Sequence, residues 1–235
     1  GMKINGSGLA NKGFTINDLL LFKTKLEAAK ITCEFLDLNE DDIGGTPAAV
    51  LIIRNGVNHF IEDRDLSLFW TELTSFEWDK KYWDRRRSKV LNKHARYNVC
   101  FGSNSQTPDY DNKIGTIIAY DNVPTLKIMR ENIGKLLGEI TTNLEVEGNY
   151  YYNIKKCGIG FHGDSERKKI IAASLGGTRP IHWQWYYQSK PIGPRIKVEL
   201  KNGDMYIMSE KASGWDWKLR SKKTLRHAAG EKYVK

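Results

Sequence analysis

Cysteine, proline and long apolar runs are scarce in this sequence. Of its 235 residues, three are cysteines and six are prolines. The cysteines, Cys33, Cys100 and Cys157, stand far apart, which argues against a zinc-type pair and favours a reducing, intracellular compartment. No apolar run approaches the ~20 residues that cross a bilayer, and the start shows no signal-peptide pattern. We therefore predict a soluble protein with no membrane partner.

Basic residues outnumber acidic ones, 37 to 28, which gives a net charge of +9. A basic balance favours polyanionic partners such as nucleic acid, although a solvated basic face gives the same composition. The densest basic run is Arg85, Arg86 and Arg87, beside Trp83 and Tyr97. Cations interleaved with aromatic rings suit a phosphate backbone and its bases. We therefore predict binding to nucleic acid, as a single strand or a flipped base.

Two helices and a hairpin are predicted in the first part of the chain. The first helix, at 15–30, has Thr15 as its cap and Asp18 three residues on. The second spans 124–140 and begins with a proline. At 48–61, two apolar runs flank Asn55-Gly56, which predicts a tight hairpin turn.

The pattern changes near residue 145. Short apolar or aromatic runs then follow one another at 150–154, 158–162, 170–175, 182–187, 196–200, 205–208 and 224–228. Many short strands at such spacing are typical of a β-sandwich or barrel. We predict a mainly β fold with flanking helices (α+β), in which residues 146–235 form the core. Residues 1–145 would pack on it as a mixed region and form a substrate lid, in one compact unit.

His162 and Asp164 carry the first chemical signal. Residues i and i+2 of a strand point to the same side, so this pair can bind one cation. An imidazole and a carboxylate are two members of the 2-His-1-carboxylate triad that holds non-haem iron(II). A chain of this composition meets His-x-Asp by chance about one time in three, so the motif alone is a hypothesis.

Three further segments follow this motif in a particular order. An apolar strand ends in Ser174-Leu175-Gly176, a Gly203-Asp204 turn leads into another apolar strand, and the chain closes near Thr224-Leu225-Arg226. Over about residues 149–230 this order resembles the AlkB family of nucleic-acid-dealkylating dioxygenases. The resemblance implies a double-stranded β-helix (jelly-roll or cupin-like) core with Fe(II) and 2-oxoglutarate as cofactors. It also implies oxidative dealkylation or hydroxylation of a nucleic-acid base, as in DNA repair.

The resemblance assigns a role to five residues. His162 and Asp164 would bind the iron. Tyr152, ten residues before His162, would hydrogen-bond 2-oxoglutarate. Arg220 or Arg226 would pair with the distal carboxylate of 2-oxoglutarate, because a planar guanidinium meets a carboxylate in two parallel bonds.

The family's second iron-binding histidine has no counterpart at its usual place, since residues 213–218 contain no His. Two alternatives stay open. In one, His227 is the third ligand and Lys232 or Lys235 binds the cofactor. In the other, the site is degenerate and Asp216 or water completes it.

The aromatic run at 182–187 carries two candidate substrate residues. Alternation places Trp183 and Trp185 on one face of the predicted strand and Gln184 and Tyr186 on the other. One set would stack on a base at the mouth of the site, or pack in the core. The alternative functions are a dioxygenase acting on a protein or small molecule, and a barrel that binds nucleic acid without catalysis.

Overall fold

The computed structural model describes residues 10–235, and in it the chain forms two compact units. We call Phe60–Cys157 the insert, and residues 10–59 together with Gly158–Lys235 the two-sheet unit. The start of the chain, where we predict no signal peptide, lies outside the described residues. No helix in the described range is long and apolar enough to span a bilayer.

Thirteen strands and four α-helices lie within residues 10–235. In chain order they are α1 (Ile16–Ala28), β1 (Glu34–Asp37), β2 (Ala49–Ile53), α2 (Leu66–Leu73), β3 (Lys81–Asp84), β4 (Lys89–Asn92), β5 (Tyr97–Gly102), β6 (Ile117–Ala119), α3 (Pro124–Leu137), β7 (Val146–Tyr150), β8 (Ile159–His162), β9 (Ile170–Ala173), β10 (Arg179–Tyr187), β11 (Lys190–Leu200), β12 (Met205–Met208), α4 (Glu210–Ser213) and β13 (Thr224–Ala229). Short 3-10 turns cover Gly56–His59, Tyr120–Asn122 and Glu139–Thr141. The predicted class, mainly β with flanking helices, is confirmed.

Local sequence signals account for the ends of several elements. α1 begins where predicted, because Thr15 and Asp18 form a capping box. α3 ends at Leu137 because the next residue, Gly138, has a φ of 103°, which other residues rarely adopt. After residue 158, each predicted strand matches one of β8–β13. The strand predicted at 150–154 is misplaced. β7 ends at Tyr150, and the Asn153 side chain then accepts the backbone N–H groups of residues 155 and 156 and makes a turn.

Two four-stranded antiparallel sheets form the two-sheet unit. The first sheet has the strand order β1-β2-β12-β9, and the second has the order β11-β10-β13-β8. One apolar core contains Ile52 and Met208 of the first sheet and Trp183 and Leu225 of the second. This core therefore lies between the two sheets.

The hairpin predicted at 48–61 is wrong. Asn55 has the positive φ of a tight turn, 52°, but the chain continues into a 3-10 turn, and β2 pairs with β1 and β12 instead. The Asp204 carboxylate fixes this path, because it accepts the backbone N–H of Asn55 at 2.9 Å and the guanidinium of Arg54 at 2.8 Å. Asp204, the residue that fixes the turn at Asn55, is thus distant from it in the sequence.

Replacing Asp204 with asparagine should lower the free energy of unfolding by about 1.5–3 kcal/mol, the range for hydrogen bonds to a charged group. Burial alone would raise the pKa of Asp204, but hydrogen bonds from Asn55, Lys201 and Arg54 outweigh it and hold the pKa below its usual value of 3.8. The stabilisation is therefore complete above the unfolded-state pKa and is lost as the pH falls through the lower folded-state pKa. In urea unfolding measured from neutral to strongly acidic pH, the free energies of unfolding of Asp204→Asn and the parent should converge at the acid end. A difference that stays constant with pH would contradict this.

Early and late segments of the chain share the two-sheet unit. β2 pairs with β12, with Val50 opposite Met208, so residues before 60 belong with residues after 158. These limits differ from the predicted regions 1–145 and 146–235, because pairing between distant strands sets them and local composition does not. The lid role of residues 1–145 stays a prediction.

Candidate metal centre

His162, Asp164 and His227 form one cluster, whose possible ligand atoms all lie within 4.8 Å of one another. His162 Nε2 is 3.6 Å from Asp164 Oδ1, and His227 Nε2 is 3.4 Å from Asp164 Oδ2. The centroids of the two imidazole rings are 4.5 Å apart. Two imidazoles and a carboxylate at these distances can bind one divalent cation.

Strand pairing brings the two histidines together. His162 ends β8 and stands directly opposite His227 of β13. On its other side, His227 stands opposite Trp183 of β10, so the three residues form a row across the second sheet. Directly paired residues share one face of a sheet, and Trp183 belongs to the core between the sheets. The cluster therefore lies on the inner face of the second sheet.

Two glycines permit the close backbone contact that positions Asp164. The backbone N–H of Asp164 donates to the Ser213 carbonyl at 2.9 Å. A Cβ at Gly163 would lie 2.0 Å from the carbonyl oxygen of Gly214, and a Cβ at Gly214 would lie 2.8 Å from the Cα of Gly163. Gly214 also has a φ of 70°, which disfavours other residues. Side chains are thus excluded at both positions, and the end of β8 lies against residues 213–214.

The surroundings favour an ionised Asp164 and a metal-binding tautomer of His162. Burial raises the pKa of Asp164, but the hydrogen bond and charge of His227, with the charges of Arg167 and His162, outweigh it, so the pKa is lowered. His162 Nδ1 lies 2.8 Å from the Gly160 carbonyl oxygen. Because a carbonyl can only accept, Nδ1 carries a proton, and in the neutral imidazole Nε2, the nitrogen nearer Asp164, is then the one whose lone pair can bind a metal. Metal-binding histidines are typically oriented by a hydrogen bond of this kind.

The alternative ligands and cofactor-binding lysines predicted from the sequence lie outside this cluster. Asp216 is buried and forms an ion pair with the partly buried Lys211, with 2.8 Å between nitrogen and oxygen. Lys232 and Lys235 are exposed near the end of the chain. Of the two alternatives, the structure groups His227, and not Asp216, with His162.

The two arginines predicted to bind 2-oxoglutarate occupy other surroundings. Arg226 is adjacent to His227 on β13 and therefore points to the opposite face of the sheet, where its guanidinium lies 4.1 Å from the ring centroid of Tyr186. Arg220 is exposed in the turn that precedes β13. Arg179 of β10, in contrast, shares the inner face with Trp183 by alternation. Its candidacy was missed because the predicted strand began at residue 182.

Tyr152 belongs to the insert. Its ring stacks on that of Tyr97, with centroids 4.2 Å apart, and its hydroxyl donates to the His94 carbonyl at 3.2 Å. Its predicted contact with 2-oxoglutarate stays a prediction.

Trp183 and Trp185 are core residues, 0% and 2% exposed. Both lie on one face, as the alternation predicted, with Trp183 opposite His227 and Trp185 opposite Leu225. The indole N–H of Trp185 donates to the Leu38 carbonyl at 2.7 Å. Because neither ring is exposed to solvent, neither is placed to stack on a base from outside.

Strands β3 and β4 of the insert form an antiparallel hairpin, which we call the basic hairpin. Its turn carries Arg85, Arg86 and Arg87, and all three are exposed. The Asp84 carboxylate accepts the backbone N–H groups of Arg86 and Arg87, each at 2.9 Å. These bonds order the turn and leave three adjacent cationic residues on the surface.

No family model matches the chain. The chain is 40% identical to an uncharacterized protein of Acanthamoeba polyphaga mimivirus over 236 aligned positions, which cover 97% of this chain and 89% of the relative. Identity at this level over nearly the whole of both chains means that the chain belongs to the same protein family as this mimivirus protein.

Proposed function

We propose that this protein is an iron(II)- and 2-oxoglutarate-dependent dioxygenase. The observation that supports it most is the cluster of His162, Asp164 and His227 on the inner face of a β-sheet. Two histidines and one carboxylate with further positions open are the ligand set of non-haem iron oxygenases. The carboxylate of Asp164 is favoured in its ionised form, which is the form that binds a metal.

The strand arrangement supports a double-stranded β-helix, or jelly-roll, core. Eight strands lie in two four-stranded antiparallel sheets with the hydrophobic core between them. The chain passes from β8 in the second sheet to β9 in the first, returns for β10 and β11, crosses again for β12 and returns for β13. Repeated crossing between two facing sheets is typical of jelly rolls.

Each residue of the cluster has a distinct task in this proposal. His162 and His227 would offer Nε2 to the metal, and Asp164 would offer a carboxylate oxygen. The bond from His162 Nδ1 to the Gly160 carbonyl holds the ring in place. With Fe(II) and 2-oxoglutarate bound, the site would use oxygen to oxidise a C–H bond of the substrate.

The distal carboxylate of 2-oxoglutarate needs a cation on the same side of the sheet as the metal. Arg179 lies on that face, whereas Arg226 points to the opposite one. We therefore favour Arg179 for this contact over the predicted Arg226 and Arg220.

For the substrate we propose a base in nucleic acid. The supporting observation is the exposed Arg85–Arg87 run of the basic hairpin, which suits phosphate contacts. An enzyme of this kind cannot reach a stacked base, so it would accept a single strand or a flipped nucleotide. Oxidation of an N-methyl group would then release formaldehyde. A protein or small-molecule substrate is the alternative.

Succinate formation tests the enzyme assignment. Protein loaded with Fe(II) should convert 2-oxoglutarate to succinate in air and not under nitrogen, and an oligonucleotide with N-methylated bases should increase the rate and yield formaldehyde. His162→Ala should lose both activities. Metal binding without succinate under any of these conditions would favour a barrel that binds nucleic acid without catalysis. Succinate that no oligonucleotide stimulates would favour the other substrates.

A further inference from the structure

Trp183 carries a buried hydrogen-bond donor with no acceptor. The side chain is 0% exposed, and within residues 10–235 its indole nitrogen has no hydrogen-bond partner. Buried donors are nearly always paired, because removing an N–H from water without a replacement bond costs free energy. An indole N–H can only donate. An acceptor that is not part of the chain is therefore the simplest partner for it.

Trp183 lies in the same row of the second sheet as the two histidines of the metal cluster. Trp183 stands directly opposite His227, which in turn stands opposite His162, so the three share the inner face. Side chains opposite each other on neighbouring strands have Cβ atoms about 4.5–5.5 Å apart. Trp183 is thus paired directly with one of the three residues of the metal cluster.

We propose that the indole N–H of Trp183 donates a hydrogen bond to a carboxylate of the organic acid bound at the metal cluster. The inference rests on the proposed function for the metal and the acid, and it adds a cofactor-binding residue. A carboxylate fits best because it accepts strongly and charge-assisted bonds are the stronger ones. The donor would also discriminate against ligands that present an amine or ammonium in place of the carboxylate, since two donors cannot pair.

Trp185 provides a matched control within the same strand. It stands two residues after Trp183 on the same face and is 2% exposed. Its indole N–H, however, already donates to the Leu38 carbonyl at 2.7 Å. The two tryptophans therefore have similar burial but different partners, one within the chain and one, on this proposal, in the ligand.

The experiment compares Trp183→Phe with Trp185→Phe by calorimetry under nitrogen. Fe(II) is titrated first, and 2-oxoglutarate is titrated into the Fe(II)-loaded protein. Trp183→Phe should weaken 2-oxoglutarate binding about tenfold to a hundredfold, the range for a hydrogen bond to a charged group, and leave Fe(II) affinity unchanged. Trp185→Phe should leave both affinities unchanged and lower the thermal midpoint, because the Leu38 carbonyl loses its donor.

Trp183→Phe leaves unfilled space at a fully buried site, which lowers stability as well as removing the N–H. A second substitution that keeps the size of the ring separates these two effects. Incorporation of 3-benzothienylalanine at position 183 replaces the N–H with sulfur and keeps the size of the ring. It should weaken 2-oxoglutarate binding to the same extent as Trp183→Phe, with the fold intact.

Each contrary outcome has a separate meaning. Parent-like 2-oxoglutarate affinity in both position-183 variants would overturn the proposal. A loss of Fe(II) affinity as large as the loss of 2-oxoglutarate affinity would also overturn it, because the indole would then support the buried Nδ1 of His227 through a water molecule. A parent protein that binds neither Fe(II) nor 2-oxoglutarate would instead refute the proposed function, and this inference with it.

Discussion

Alanine in place of His227 should abolish Fe(II) binding and 2-oxoglutarate turnover together. Its Nε2 lies 3.4 Å from Asp164 Oδ2, and its loss leaves the cluster with one imidazole and one carboxylate. Changes to groups that only support a ligand typically cost 10–100-fold in metal affinity, so removing a ligand should cost more than about a hundredfold. The measurements are calorimetric titration with Fe(II) under nitrogen and succinate formation in air.

His182→Ala is the matched control for this prediction. His182 is also buried and also lies in the second sheet, but its alternation with Trp183 places it on the opposite face, where Nε2 lies 3.0 Å from the Gly230 carbonyl oxygen. The control should lose stability and keep Fe(II) affinity. In the parent, Fe(II) at a hundred times its dissociation constant should add about 2.7 kcal/mol of stability, and His227→Ala should lose that gain.

Retention of iron and of succinate formation by His227→Ala would mean that His162 and Asp164 suffice with water, which is one of the alternatives open from the sequence. If His182→Ala also loses Fe(II) binding and succinate formation, the second sheet tolerates no change. The comparison of His227→Ala with His182→Ala would then carry no information about the metal ligands. Thermal unfolding without metal separates these cases, because it reports the fold alone.

The sequence could predict two of the three residues of the cluster and left the third open. His162 and Asp164 stand two residues apart on a strand, so local geometry alone puts them on one side. His227 joins them only through the direct pairing of β13 with β8. Local periodicity predicts that both segments are strands, but it does not say which strands pair. The choice between His227 and Asp216 therefore needed the sheet order.

The failed hairpin has the same physical origin. Asn55 adopts the positive φ that the Asn-Gly signal predicts, so the local conformation was correct. The path of the chain after it depends on Asp204, which binds Asn55 and Arg54 from the turn before β12. A turn signal predicts a change of direction, whereas the partner of the next segment is decided by distant contacts.

The tryptophans of β10 illustrate the remaining limit. Alternation correctly placed Trp183 and Trp185 on one face of their strand. Whether that face meets solvent or a second sheet depends on β2 and β12, which supply Ile52 and Met208 to the same core. The period of a strand gives its two faces, and only the full topology says what covers each of them.

Reversing the charge of the basic hairpin should weaken nucleic-acid binding strongly and for all sequences alike. The triple variant Arg85→Glu, Arg86→Glu and Arg87→Glu changes three exposed residues on an ordered turn. Each phosphate contact releases counterions, so three lost contacts should flatten the log-log dependence of affinity on salt by about 2 for a single strand. The same change in slope corresponds to an affinity loss of roughly a hundredfold near 0.1 M salt.

The matched control replaces the same three arginines with lysine, which keeps the charge and removes the planar fork. Fluorescence anisotropy with a labelled single strand, measured across a salt series, should give the lysine variant a slope equal to that of the parent. Succinate formation without oligonucleotide should be equal in all three proteins, because the basic hairpin belongs to the insert and the metal cluster to the two-sheet unit. An unchanged slope in the glutamate variant would place the phosphate contacts elsewhere on the chain. If the parent shows no saturable binding at low salt yet forms succinate, the substrate is a protein or a small molecule.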